Sequence, residues 1–283
     1  MIAVIPIEDQ AVVVADSTWA AMKGADVLKL VTSGGYKDLS DESIFRRFRS
    51  DLFKSGVTAA KVGDSSKAIA KANKVRELEY EMPMQAHATM EPLCATASVS
   101  PDECNIWAPV QNQDAVMGVA VAVTNLPQEK IRINTTFIGG GFGRKFEVDF
   151  LVAPLVASKV MGKPVKVIWK REEDTRNDFF RPPTLAKMRI GLDSSGLPVA
   201  WESKLVSPSL NLHLVKMLGV EEAPNMYLKN GYDFFSVEGM FDPFSMQGSY
   251  EIPNLNVDYA VSYTHLTLPT SDLVMISVVA VSL

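Results

Sequence analysis

Three sets of residues in this chain have types and spacings that could do chemistry. The first is Phe137-Ile-Gly-Gly-Gly-Phe-Gly-Arg-Lys-Phe146, a run of closely spaced glycines followed by two cations. Bare glycine backbone lets N–H groups approach a ligand with no Cβ in the way, which suits an anion. A β-rich run, Ile131 to Phe137, leads in and an apolar helical pattern, Glu147 to Met161, leads out, so a helix start is expected behind the loop. The second set is His87 and Glu91, spaced as metal ligands on one face of a helix would be. Pro83 and Pro92 bracket them and no third ligand is near, so the expectation is no metal site and a His87–Glu91 hydrogen bond that fixes a loop. The third is Cys94 and Cys104, too few for a disulfide framework or an iron–sulfur cluster and read as buried thiols.

Neither familiar phosphate loop is present. A P-loop needs Gly-Lys followed by Ser or Thr, whereas Lys145 follows Arg144 and precedes Phe146. A dinucleotide fingerprint starting at Gly139 needs Gly or Ala where Arg144 stands, and no acidic residue ends the next apolar strand, Val165 to Trp169. Taken alone, the loop is an anion cradle or simply a Gly-rich turn.

The elements that must position these residues alternate between strand and helix. Met1 to Ile7 and Gln10 to Ala15 read as strands, and Asp16, Ser17 and Thr18 cap a helix reaching about Leu30. The chain thus opens in mid-sheet, as an internal start with upstream strands absent would. A loop at residues 33–40, helices at Asp41 to Phe53 and Ser65 to Asn73, and a strand at Val75 to Glu81 follow. Cys94 to Ser98 and Cys104 to Ala108 form a hairpin pair, a helix spans about Asp114 to Thr124, and Lys170 to Arg176 is a charged turn. Leu185 to Leu192 and Val199 to Val206 are antiparallel strands joined by Asp193-Ser-Ser-Gly196. The order predicts a mixed α/β (α+β) fold.

With 283 residues and 47% hydrophobic content, the chain is long enough for two domains. A net charge of −5 argues against a nucleic-acid partner, and the one basic cluster is Arg46, Arg47 and Arg49. No segment has the basic lead of a signal peptide or the ~18 apolar residues of a membrane span.

The succession His87-Ala-Thr-Met-Glu-Pro92, Trp107-Ala-Pro-Val-Gln-Asn112, Gly139-Gly-Gly-Phe-Gly-Arg-Lys145, Arg171-Glu-Glu-Asp174 and Phe180-Arg-Pro182 resembles the large molybdopterin-binding subunits of the xanthine dehydrogenase and aldehyde oxidase family. The flavour is that of the isoquinoline 1-oxidoreductase β-subunit. The resemblance spans about residues 10–260 and implies a molybdenum hydroxylase. In that family a molybdenum centre on a pterin, usually extended to a cytosine dinucleotide in bacterial members, hydroxylates an electron-poor carbon with water-derived oxygen. Electrons leave through a [2Fe–2S] partner subunit, with a cytochrome c as one acceptor. The implied substrates are N-heteroaromatic compounds or aldehydes. The family's export habit makes the bacterial periplasm or the cytoplasm the implied compartment.

By motif position the resemblance assigns Gln111 to the apical oxo ligand and Phe142 and Gly143 to the surroundings of the metal. It assigns Gly139, Gly140, Gly141 and Arg144 to the cofactor. Gln247 and Gly248 are further candidates for the same cleft. Phe146 stands where purine-oxidising members carry Glu, which points to an apolar substrate. The implied domains are the end of an α/β hammerhead-like domain at 1–35, a helical linker at 36–80 and the first part of the molybdopterin-binding domain at 81–260. The catalytic glutamate of the family falls outside these residues. The alternatives are a non-catalytic truncated subunit or pseudogene product that only binds a partner, and a nucleotide-dependent α/β enzyme, which the loop sequence disfavours.

From Val261 the sequence reads Val-Ser-Tyr-Thr-His-Leu-Thr-Leu-Pro-Thr270, which matches a translated adaptor from transposase-based sequencing libraries, and only Asp272 is charged beyond it. Residues 261–283 are therefore expected to be foreign to the protein. Long-read sequencing of the source locus is expected to show the frame continuing past Ala260 into further codons; genomic DNA that encodes Val261 to Leu283 and then stops would refute this.

Overall fold

The computed structural model describes residues 2–7, 10–29, 39–208, 250–262 and 276–282. The expected 33–40 loop (apart from residues 39 and 40), the Gln247–Gly248 pair and residues 263–275 lie outside them. The chain divides into two units, Met1–Gly35 with Ala86–Phe180 and Ser271–Leu283, and Tyr36–Gln85 with Arg181–Thr270. Elements are numbered along the chain.

The first unit is a mixed seven-stranded sheet with helices. Its strands are β1 (Ala3–Ile7), β2 (Gln10–Ala15), β5 (Cys94–Val99), β6 (Cys104–Ala108), β7 (Ile131–Thr135), β8 (Val165–Ile168) and β12 (Ile276–Ser282), in the order β1-β2-β12-β8-β5-β6-β7. Its helices are α1 (Thr18–Val27), α4 (Gln113–Thr124), α5 (Val152–Met161) and α6 (Arg171–Arg176).

All six residues of β2 are buried, and the two-residue period of a strand divides them between faces. Val12 and Val14 join the main core with Ala97, Ile106, Val116, Ala120, Leu155 and Trp169. Val13 and Ala15 face Ala21 and Ala25 of α1. Burial on both faces is why β2 reads as an unbroken apolar run. Strand β12 pairs parallel with β2 and antiparallel with β8. An uncharged Val-rich segment has strand propensity whatever its origin.

The arrangement that matters for the site is β6, α4 and β7. Strands β6 and β7 pair in parallel, so α4 is a crossover and both strands end at the same edge of the sheet. Ligands of open α/β sheets gather at such carboxyl ends. Gln111 follows β6 and the Gly loop follows β7, which brings together residues far apart in sequence.

Three expectations need correction. Strand β7 ends at Thr135, not Phe137. The Lys170–Arg176 turn is a helix from Arg171, with the acidic residues Glu172, Glu173 and Asp174 in its first turn, where the helix dipole favours them. The Glu147–Met161 pattern holds a short 3-10 turn, Asp149–Leu151, which follows another at Arg144–Phe146, and α5 starts only at Val152. A helix begun at Glu147 would put Pro154 in its interior, where its missing N–H and its ring break the ladder; in the first turn it costs nothing. No α-helix N-terminus therefore stands directly behind the Gly loop.

The second unit is a five-stranded sheet of β3 (Val57–Val62), β4 (Lys74–Met82), β9 (Thr184–Leu192), β10 (Pro198–Ser207) and β11 (Leu255–Val261), in the order β3-β11-β10-β9-β4. Helix α2 (Asp41–Asp51) opens with a capping box between Ser40 and Ser43 and packs Ile44, Phe45 and Phe48 on Leu185, Val206 and Ala260; a second helix, α3, spans Ser65–Lys71. The Asp193 side chain accepts from the N–H groups of Ser195 and Leu197 and closes the β9–β10 hairpin. Among the described residues no helix is long and apolar enough to cross a membrane.

Ile106 is fully buried in the core beneath the β6–β7 edge. Ile106→Ala is expected to destabilise the protein by about 2–5 kcal/mol, read as a lower urea midpoint at unchanged slope.

Candidate functional site

The Gly loop is held at both ends by one carboxylate oxygen. Glu91 Oε2 accepts the Gly139 N–H at 3.1 Å and the Lys145 ammonium at 2.6 Å, while the Glu91 N–H donates to Gly139 O at 2.9 Å. Lys145 is fully buried, so this ion pair is its solvation. Burial pushes the Glu91 carboxyl up, but the hydrogen bonds from Lys145 and Gly139 outweigh it and hold it below the ordinary glutamate value. The Lys145 carbonyl accepts the Gln111 N–H at 2.9 Å, which joins the loop to the end of β6.

Close packing accounts for two of the glycines. A Cβ on Gly139 would stand 2.5 Å from Glu91 Cβ, and one on Gly141 would stand 2.4 Å from Gln111 Oε1. Gly140 and Gly143 have φ of +91° and +102°, where only glycine is unstrained. Between them Phe142 adopts φ +53°, an uncommon conformation for an aromatic residue, with its ring largely exposed.

The N–H groups of Gly140, Gly141, Phe142 and Gly143 have no hydrogen-bond acceptor among the described residues. Gly141 is itself buried, and the exposed Gln111 side chain lies against it. A row of free backbone donors beside an amide suits an oxygen-rich anionic group.

Arg144 turns inward. It is 1% exposed, makes a two-pronged pair with Asp149 at 2.8 and 2.9 Å, and its Nε lies 2.9 Å from Asp178 Oδ1 as an ion pair rather than an aligned hydrogen bond. Its guanidinium stacks 5.0 Å from the Phe179 ring centre. Burial pulls its pKa down, but Asp149 and Asp178 more than compensate, so the charge is held firmly. Phe146 leaves the loop partly exposed.

His87 and Glu91 do not bond each other. Ala88 takes φ +45°, which breaks any helix through the segment, so residues four apart do not share a face. His87 bonds Asp178 instead, through Nδ1 at 3.0 Å and its backbone N–H. Arg171 of α6 reaches back to the carbonyls of Thr89 and Met90, which is the work of the Arg-Glu-Glu-Asp motif. Among the described residues no cluster of three potential metal ligands occurs. Cys94 and Cys104 are free, and burial pushes the Cys104 thiol up to about 11, as befits an inert core residue. Sequence reading did not single out Asp149 and Asp178; the two are five and thirty-four positions from Arg144, with no motif between them.

Residues 50–239 match the molybdopterin cofactor-binding domain. The chain belongs to that family. Relatives of this molybdopterin-binding chain include a membrane-bound aldehyde dehydrogenase [pyrroloquinoline-quinone] of Gluconacetobacter polyoxogenes, 31% identical over 65% of this chain and 24% of the relative. An aldehyde oxidoreductase molybdenum-binding subunit of Escherichia coli O157:H7 is 35% identical over 48% of this chain and 19% of its own length. Among solved structures, the aldehyde oxidoreductase of Desulfovibrio gigas superposes with a TM-score of 0.52 at 19% identity, covering 74% of this chain and 21% of that one, and so shares the fold. The chain therefore spans about a quarter or less of the relatives it matches.

Glu91→Gln leaves Lys145 buried without a counter-charge. With the Glu91 side chain 34% exposed, water moderates the loss, and the expected destabilisation is roughly 1–3 kcal/mol by chemical denaturation. Because the folded-state pKa is depressed, the clamp is complete above the ordinary glutamate range and is lost as pH falls through the lowered value; hydrogen exchange at Gly139 is expected to rise only in that acid window.

Proposed function

We propose that this molybdopterin-binding chain is the portion of a molybdenum hydroxylase large subunit that cradles the cofactor beside the reacting centre. The observation that carries the reading is the Gly140–Gly143 run of free N–H groups with the Gln111 amide packed on Gly141. A pterin cofactor with its phosphate and metal–oxo groups fits that set, because the free N–H groups and the NH2 of the Gln111 amide can donate to its oxygens. When bound, the group would supply the two-electron oxidation of the substrate. Gly140 to Gly143 would hold the pterin or its phosphate, Gln111 would donate from its amide to an oxo group, and Phe142 and Gly143 would line the metal's surroundings. Arg144 would serve the loop from beneath, through its pairing with Asp149 and Asp178.

The finer reading is an oxidation of an aldehyde or an N-heteroaromatic compound, with water as the oxygen source and a [2Fe–2S] partner subunit taking the electrons. The cytosine dinucleotide form of the cofactor is part of the same proposal. The aldehyde-oxidising names of the relatives and the apolar Phe146 at the loop exit support it.

In the complete enzyme, Gln111→Ala and Gly141→Val are each expected to lower molybdenum and pterin content several-fold without loss of folded protein, measured by metal mass spectrometry and pterin fluorescence. An unaltered enzyme without molybdenum or pterin would refute the reading. Phe146→Glu is expected to shift kcat/KM from apolar aromatic substrates toward purines, and an unchanged preference would remove Phe146 from the substrate pocket.

A further inference from the structure

The motif histidine has a geometry that the loop's own chemistry does not use. His87 is 11% exposed at its side chain, and Asp178 beside it is 2% exposed. The Asp178 carboxylate receives the His87 backbone N–H and faces Arg144 Nε, while His87 Nδ1 lies 3.0 and 3.1 Å from its two oxygens. A carboxylate paired with a buried guanidinium is an acceptor only, so Nδ1 must carry the hydrogen. In the neutral imidazole the remaining nitrogen, Nε2, then presents a lone pair, and it lies 3.6 Å from where a Cβ would stand on Gly143. That places an oriented side-chain acceptor beside the run of loop N–H groups that have no acceptor among the described residues. Asp178 pairs on its other side with Arg144, which also holds Asp149, and Arg171 pairs with Asp174. No described side chain takes up Nε2.

We propose that His87 is a ligand-contacting residue of this site, with Asp178 as its positioning residue: Nε2 accepts a hydrogen bond from an N–H or O–H group of the pterin held on the Gly loop. The inference rests on the molybdopterin reading and extends it, since the backbone donors can hold phosphate and oxo groups but cannot recognise the donor edge of a pterin ring. His87 supplies that complement.

Two measurements on the full chain test it. The first is 15N NMR of histidine-labelled protein, where the His87 signals are assigned by their loss in His87→Gln among the three histidines of the chain. The Nδ1–H tautomer is expected, and Asp178→Asn is expected to release it into a mixture. The second is binding of neopterin, followed by its fluorescence anisotropy. His87→Phe is expected to weaken binding about tenfold, the weight of one hydrogen bond, and His87→Gln, whose Oε1 can accept, to recover most of it. An Nε2 that carries hydrogen in the unaltered chain, as the Nε2–H tautomer or the imidazolium, or His87→Phe binding as tightly as the unaltered chain, overturns the role of His87 alone. An unaltered chain that binds no neopterin overturns the cofactor reading, and the proposal falls with it.

Discussion

One carboxylate oxygen determines the shape of the site. Glu91 Oε2 holds both the first glycine of the loop and the lysine that closes it, so the residues between them must span a fixed gap. A loop rich in glycine has more conformations to lose on folding than any other segment of its length, and without a clamp it would not present its N–H groups on one side. The buried ammonium of Lys145 makes the arrangement costly to break, because a loop that drifts away from Glu91 leaves that charge without its counter-ion. Everything else at the site follows this constraint: Gln111 is tied to the Lys145 carbonyl, and Arg144 is turned under the loop by Asp149 and Asp178.

Beneath the loop lies a second economy of arrangement. The parallel pairing of β6 and β7 delivers two functional segments to one sheet edge through a single crossover helix, and the Asn112 side chain caps that helix immediately after Gln111. The amide that faces the loop and the residue that starts the helix are neighbours, so the position of Gln111 is fixed by the helix start rather than by its own side chain.

Most elements were legible in the residues because their signals are local. The β2 run, the Ser17 cap, the Asp193 hairpin and the apolar face of α2 each carry their periodicity or turn chemistry within a dozen residues. What was not legible is long-range. Strand β3 is short and set between Gly56 and Gly63, and it exists through pairing with β11 almost two hundred residues later. The alternation Leu255, Val257, Tyr259 does mark β11, yet it becomes a strand only with β3 and β10 as neighbours. At the site, Gln111 and the Gly loop are visible as motifs, whereas the partners of His87 and Arg144 are not, since a buried ion network leaves no spacing rule in sequence.

The left-handed backbone of Phe142 has a consequence for how this protein tolerates change. A bulky residue held at φ +53° between two glycines stores on the order of 1–3 kcal/mol that a glycine there would release. Random substitution at this position can therefore make the chain more stable while stripping the aromatic ring from the loop. Selection for stability and selection for whatever the ring does pull in opposite directions at this residue, so a thermostable variant recovered without an activity screen has reason to carry a lesion here.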